Sequence, residues 1–340
     1  MSILPVPFGA KADAYTMTNR HGASLTVLSR GGIMQKLLIP DRQGRLRDVI
    51  CGFDSVEDYD VGGGYQGALI GRYGNRIRDG RFALNGKTYR LACNEGGVTH
   101  LHGGDCGFDR RIWRVRAEEE QGYDRLILTY LSPDGEEGFP GNLSVKVTYT
   151  FTDDTVLHID YEATCDADTP CNLTSHTYYN LSGYDGGSVM DHHLQLNADY
   201  YDSVDERMIP DASAPAPVKG TSFDHTVLGP ISSPLDHNFH LRGEARERKH
   251  AATYLDPVSG RRLDLYTDMP AVQVYTACVM DGETPFKGGV PQRLFHAIAL
   301  ETQFAPDSPN RPDMPSCILR AGQTFRSRTT LVFSVEEERK

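Results

Sequence analysis

Hydrophobic and polar residues alternate along much of this chain with a period of two. The clearest stretch is 143–151, where Leu143, Val145, Val147, Tyr149 and Phe151 are interleaved with Ser144, Lys146, Thr148 and Thr150. Successive side chains of a strand point to opposite faces, so this pattern predicts a half-buried antiparallel strand. Similar signals predict strands over 23–28, 34–39, 48–51, 112–116, 125–131, 157–163, 263–266, 271–277, 297–303 and 325–335. Within 82–89 an Asn85-Gly86 pair lies between apolar residues, the strongest short-range signal for a two-residue hairpin. Helical signals are scarce: 55–60 could make a turn or two, and 242–250 are too polar on every side for a core helix. The proline-rich stretch 210–220 reads as an irregular loop and not as a linker, because strand signals flank it without a change of composition.

Many short strands at fairly even spacing predict an all-β fold, a large antiparallel sandwich or barrel, and not alternating βαβ units. A length of 340 residues permits one domain or two; without a linker or an internal repeat, one domain over 1–340 is expected. The formal net charge of -11, with no dense basic tract, makes nucleic acid a poor partner. The first nine residues have neither a basic region nor a long apolar run, and no stretch reaches the ~18 apolar residues of a membrane span. A soluble protein that is not exported is therefore expected, with no membrane partner. Seven cysteines without a Cys-x-x-Cys pair suit reduced thiols in the cytoplasm better than a disulfide framework or a thiolate zinc site.

Several polar clusters stand out from the strand pattern. The run Thr174-Ser175-His176-Thr177-Tyr178-Tyr179-Asn180-Leu181 has little apolar filling and is followed by Gly183, Gly186 and Gly187, so it reads as a loop or the floor of a polar site. For His176 alone, a hydrogen-bonded structural role is the ordinary one. Residues 67–77 are punctuated by glycine and end in Asn75-Arg76-Ile77; they lack the Lys-Ser/Thr of a phosphate loop. Arg76 is either ion-paired at the surface or, with Asn75, a donor fork for ligand hydroxyls. His100 and His102 are two apart at what reads as a strand end, a spacing that shares a face and is seen in metal sites, with His176 or a carboxylate as a further ligand. Asp236 in 235–239 reads as an Asx-type turn or a site acid. In 271–275, Gln273 and Tyr275 face away from Val272 and Val274. In 297–303, Ile298 and Leu300 take one face, while Ala297, Ala299, Glu301 and Gln303 take the other. Alanines beside a carboxylate leave space, which suits the wall of a concave site as well as a sheet edge.

Taken together these stretches resemble the aldose 1-epimerase (galactose mutarotase) family over nearly the whole chain. The matching pieces are 71–77, Leu101-His102-Gly103-Gly104, 135–141, 175–181, Asp236-His237-Asn238-Phe239, Leu300-Glu301-Thr302-Gln303 and Pro306-Asp307-Ser308-Pro309. The resemblance implies a single β-sandwich of many antiparallel strands, the mutarotase-like supersandwich. It also implies Glu301 as general base and His176 as general acid. Asn75, Arg76, His102, Asp236 and Gln273 would then contact sugar hydroxyls, with Tyr178 lining the same pocket. Two positions depart from the family pattern: Ser175 stands where Asn is common, and Tyr179 where Phe is common.

The implied reaction opens and recloses a hemiacetal, so the partner is a small aldose, and two proton carriers suffice without cofactor or metal. Unperturbed values of ~6.5 for histidine and ~4.3 for glutamate would suit an acid and a base near neutrality. Three other readings use the same residues: a glycosidase with Asp236 and Glu301 as its carboxylate pair, a metal-dependent isomerase on His100, His102 and His176, and a sugar-binding module without catalysis. Neither the preferred aldose nor the oligomeric state can be read from the sequence.

Overall fold

The period-two alternation is carried into antiparallel sheets. This computed structural model describes residues 3–337 apart from 212, 245 and 281. The largest sheet has nine strands in the spatial order Arg114–Glu120, Tyr123–Ser132, Leu143–Thr152, Val156–Cys165, Thr324–Val335, Arg261–Thr267, Lys249–Leu255, His193–Leu196 and Gly229–Pro230. A six-stranded sheet runs Tyr178–Tyr179, Ile298–Gln303, Ala271–Tyr275, Asp236–Leu241, Ala198–Tyr201 and Ala216–Pro217. A five-stranded sheet is built from Val6–Pro7, Asp13–Thr18, Ser24–Leu28, Met34–Pro40 and Leu46–Asp48 in simple sequence order.

Leu143–Thr152 behaves as its alternation demands. Leu143, Val145, Val147, Tyr149 and Phe151 are buried, whereas Ser144 and Lys146 on the other face are exposed. The buried face joins one apolar cluster with Leu25, Val27 and Leu37 of the five-stranded sheet and Val272, Val274, Ile298 and Leu300 of the six-stranded sheet. Sheets packed face to face over a shared core make a sandwich. The Thr302 and Thr329 hydroxyls bond at 2.5 Å between the six- and nine-stranded layers. Seating one face of the six-stranded sheet on the core leaves its other face to be covered by loops, and it is covered: all six residues of Ile298–Gln303 are buried.

The Asn85-Gly86 hairpin forms between Arg81–Leu84 and Lys87–Arg90, with φ of 51° and 76° at the turn, the left-handed pair that a type I′ turn requires. The helical turn is Val56–Val61, capped by the Ser55 hydroxyl, which accepts the Asp58 N–H at 3.1 Å. Among the strands that went unforeseen are Asp13–Thr18, His193–Leu196, Ala198–Tyr201 and Lys249–Leu255. Asp13–Thr18 and Ala198–Tyr201 break the period-two alternation at Ala14-Tyr15 and Tyr200-Tyr201, so their pairing partners, and not their pattern, make them strands. The loop reading of 235–239 and 174–181 is also corrected. Asp236–Leu241 is a strand inside the six-stranded sheet, and Thr174–Ser175 and Tyr178–Tyr179 pair with Leu69–Ile70 and Ile298–Gln303. Hydrogen bonds to neighbouring strands hold these polar segments extended where side-chain hydrophobicity gives no signal.

Candidate active site

Three adjacent strands of the six-stranded sheet form the floor of a cavity on its loop-covered side. Glu301 lies directly across from Gln273, and Gln273 from Asn238, while Tyr275 lies across from both Ala299 and Asp236. Directly opposed residues of an antiparallel pair share a face. Ala299 also pairs with Tyr178. Its missing bulk leaves room for the Tyr178 and Tyr275 rings, whose centroids are 6.0 Å apart, so the alanine face predicted beside Glu301 does make space for a site.

Loops complete the walls. His176 is fixed by backbone bonds on both sides, its N–H donating to Ala68 O and its C=O accepting from Gly67 N, each at 2.9 Å. Asn75 adopts a left-handed φ of 68°, and its N–H donates to His102 Nδ1 at 3.1 Å. Its side-chain oxygen accepts the Arg76 N–H at 2.8 Å. Gly103 lets this loop close: a Cβ there would sit 1.9 Å from the Gly71 carbonyl oxygen. Glu137 accepts the N–H groups of Asp105 and Cys106 from below, so the acidic motif at 135–141 supports the His102 loop and does not enter the site. Asp307 N–H donates to Arg76 O at 2.8 Å, which gives the 306–309 motif the same supporting part.

The cavity is about 220 Å³ and is lined by Asn75, Arg76, His102, His176, Tyr178, Asp236, Gln273 and Glu301, all eight residues singled out from the sequence. Tyr65, Glu95 and Tyr275 line it as well. Arg76 is ion-paired, though not at the surface, and it also lines the cavity. Its guanidinium grips Glu95 through two nitrogens at 2.7 and 2.9 Å while facing the cavity. Glu95 and Tyr65 were missed because no periodicity marks them; Glu95 is recognisable only through its contact with an arginine 19 positions away. Ser175 turns from the cavity to bond the Thr177 hydroxyl at 2.9 Å, and Tyr179 sits in the core. Both departures from the family pattern therefore lie behind the site.

His176 Nε2 is 3.5 Å from Glu301 Oε1. Tyr178 and His102 flank the imidazole, with ring centroids 4.9 and 5.0 Å away. Burial lowers the His176 pKa to about 4, and the nearby Arg76 charge adds to that. Burial also raises Glu301 well above the ordinary carboxylate range, reinforced by the Asp236 charge and opposed by Arg76. Unperturbed values are thus the wrong guide here: burial pushes both groups towards neutrality. Glu301 Oε2, His176 Nδ1 and Gln273 Oε1 are buried without a hydrogen-bond partner, and Asp236 is bonded to Gln273 Nε2 at 2.7 Å. Buried orphaned polar atoms are costly, and a polyhydroxylated ligand would satisfy them.

His100 and His102 do stand at a strand end, that of His100–Leu101, but they do not share a face. His102 has a φ of 50°, which ends the alternation after Leu101, and His100 turns away to bond Ala92 O and pack on Phe139. His102, His176 and Glu301 do bring ligand-type atoms within 4.8 Å of one another. However, His102 Nδ1 accepts the Asn75 N–H, so Nε2 carries the ring proton. A protonated ring nitrogen donates to a hydroxyl and does not ligate a cation. Among the described residues no helix is long and apolar enough to cross a membrane.

A family model described as aldose 1-epimerase matches residues 13–332. A galactose mutarotase from Mus musculus is 40% identical over 320 residues, covering 92% of this chain and 91% of that protein. An aldose 1-epimerase from Escherichia coli (strain K12) is 36% identical, covering 97% of each. The crystal structure of an aldose epimerase homologue from C. elegans superposes with a TM-score of 0.88 at 28% identity, covering 96% of this chain and all of that one. A galactose 1-epimerase from Lactobacillus acidophilus gives a TM-score of 0.85 at 28% identity, covering 98% and 99%. A sandwich of this architecture, matched along nearly its whole length by that model and by those relatives, belongs to the aldose 1-epimerase family.

Proposed function

We propose that the chain interconverts the α and β anomers of a free aldose, with Glu301 and His176 as the two proton carriers. The observation that carries this reading is their 3.5 Å approach on the floor of a sugar-sized cavity lined with orphaned polar atoms. A neutral imidazole with a protonated carboxyl holds the same single proton as an imidazolium with a carboxylate. The buried pair therefore stores the one proton that the reaction relays. Hydroxyls that donate to Glu301 Oε2 on binding stabilise its carboxylate form and shift that proton to His176.

Glu301 then takes the proton of the anomeric hydroxyl as His176 gives its proton to the ring oxygen. The C1–O5 bond breaks and leaves an open-chain aldehyde. Rotation about C1–C2 presents the other carbonyl face, and reclosure returns both protons. Every bond made is the reverse of one broken, so no redox centre is required. Arg76, held by Glu95, the Nε2–H of His102, and the Asp236–Gln273 pair supply the hydroxyl contacts that orient the ring. Seven unpaired cysteines support a cytoplasmic setting for this reaction.

The test is polarimetry, or NMR anomer exchange, on freshly dissolved galactose, glucose, arabinose, xylose and fucose. Catalysed exchange of at least one sugar is expected, unaffected by a chelator. Exchange at the buffer rate with binding retained would leave a sugar-binding module. Cleavage of an aryl glycoside would turn the carboxylates into a glycosidase pair instead.

A further inference from the structure

His102 reaches the cavity from a turn that no sheet holds. Leu101 is the last residue of its strand, directly across from Arg76, and His102, Gly103 and Gly104 follow with φ of 50°, 92° and 101°. Left-handed residues in a row, the first of them not glycine, persist only where neighbouring groups fix them. The Asn75 backbone supplies one fixing point: its C=O accepts the His102 N–H at 3.2 Å, and its N–H donates to the ring at 3.1 Å.

A half-buried side chain supplies the next. Asn94 Oδ1 accepts the Leu101 N–H at 2.8 Å, and Asn94 Nδ2 donates to Leu101 O at 2.9 Å and to Gly104 O at 3.1 Å. An amide carries both a donor and an acceptor, so Asn94 meets Leu101 as the backbone of a neighbouring strand would. An Asx turn bonds the backbone two residues on, whereas Leu101 is seven positions away. Asn94 Nδ2 is also 3.3 Å from the Tyr65 hydroxyl, and the Tyr65 ring lies 4.7 Å from the His102 ring, centre to centre. The amide therefore touches both ends of the His102 turn and the ring packed against it. Asn94 does not line the cavity; its neighbour Glu95, which grips Arg76, does.

We propose that Asn94 is a positioning residue: by clamping Leu101 to Gly104 it sets the direction in which His102 Nε2–H meets the substrate, and thereby the discrimination at one sugar hydroxyl. This deepens the proposed function and rests on it. A side chain that only stabilised the fold would affect every sugar alike. A clamp on His102 affects the hydroxyl that His102 contacts.

The experiment measures anomer exchange by NMR for the faster of galactose and glucose and for its monodeoxy analogues at C2, C3, C4 and C6. Wild type, His102→Ala, Asn94→Ala, Asn94→Asp and the His102→Ala/Asn94→Ala double variant are compared, with circular dichroism to verify folding. His102→Ala should reduce the parent-to-deoxy ratio of kcat/KM tenfold or more at one position, which marks the hydroxyl that His102 contacts. Asn94→Ala should reduce that same ratio threefold or more, leave the others within twofold, and add nothing to it in the double variant. Asn94→Asp keeps the acceptor for the Leu101 N–H but sets a carboxylate against two carbonyl oxygens, so its effect should be at least as large. A loss of activity that leaves every ratio within twofold of wild type overturns the proposal, as do additive effects in the double variant or a His102→Ala without a position-specific effect. Should Asn94→Ala not fold, the Asn94→Asp ratios decide. Failure of the function itself is distinct: wild type would then leave every sugar at the buffer rate, and the same ratios would be read from sugar Kd.

Discussion

Replacing Glu301 by Gln should move activity and stability in opposite directions. The residue is 1% exposed, and the amide keeps the side chain's shape while losing the ability to take a proton. General base catalysis contributes roughly 10²- to 10⁴-fold, so exchange should slow by that factor, equivalent to about 3–5 kcal/mol of barrier. Stability follows from the raised carboxyl pKa. In the unfolded chain Glu301 titrates near ~4.3, and in the folded chain burial holds it well above that. Below ~4.3 the group is protonated in both states and costs the fold nothing. As pH rises through the folded pKa that stability is lost, at up to about 1.4 kcal/mol per pH unit inside the window. Gln imitates the protonated form at every pH. Glu301→Gln should therefore match wild type near pH 4 and become progressively more stable than wild type above it, levelling once the folded carboxyl has ionised. Urea unfolding followed by fluorescence from pH 4 to 8, beside polarimetry on α-glucose, measures both. Unimpaired exchange would remove Glu301 from the chemistry. A stability difference that does not vary with pH would remove the buried-carboxylate argument.

Glu95→Gln loosens the two-point grip on Arg76 and should raise KM about tenfold while kcat changes less, since the contact orients substrate and moves no proton; equal falls in kcat and kcat/KM would place Arg76 in the transition state instead. His100 and His192, outside the cavity, are both held at about 4 by burial, so the unfolded chain binds more protons than the folded one between about pH 6.5 and 4. The stability they contribute is intact above pH 6.5 and is lost as pH falls to 4, about 3 kcal/mol for each; a His192→Asn variant should flatten the acid limb of the urea midpoint by its share. Gly86→Ala at the hairpin, where φ is 76° and no atom lies within 4 Å of the added Cβ, should cost about 1 kcal/mol for backbone reasons alone, read as a lowered Tm with unchanged exchange rate.

The sequence by itself determined the strands whose two faces see different surroundings. Leu143–Thr152 and Thr324–Val335 were legible because one face meets the core, and the Asn85-Gly86 hairpin because its backbone conformation demands those residues. It also marked the eight cavity residues, since polar side chains clustered against the strand pattern, together with the family resemblance, singled them out. Only the tertiary structure decided what those residues are. Asp236 became a strand residue through pairing with Tyr275, and His100 left the site through a turn at His102. The ordinary acid and base values of His176 and Glu301 gave way to the burial that surrounds them. Glu95 and Tyr65 entered through contacts that no local pattern encodes. The physical reason is common to all of these: periodicity reports which face of an element meets the core, whereas hydrogen-bond partners, desolvation and shared walls depend on segments far apart in the chain.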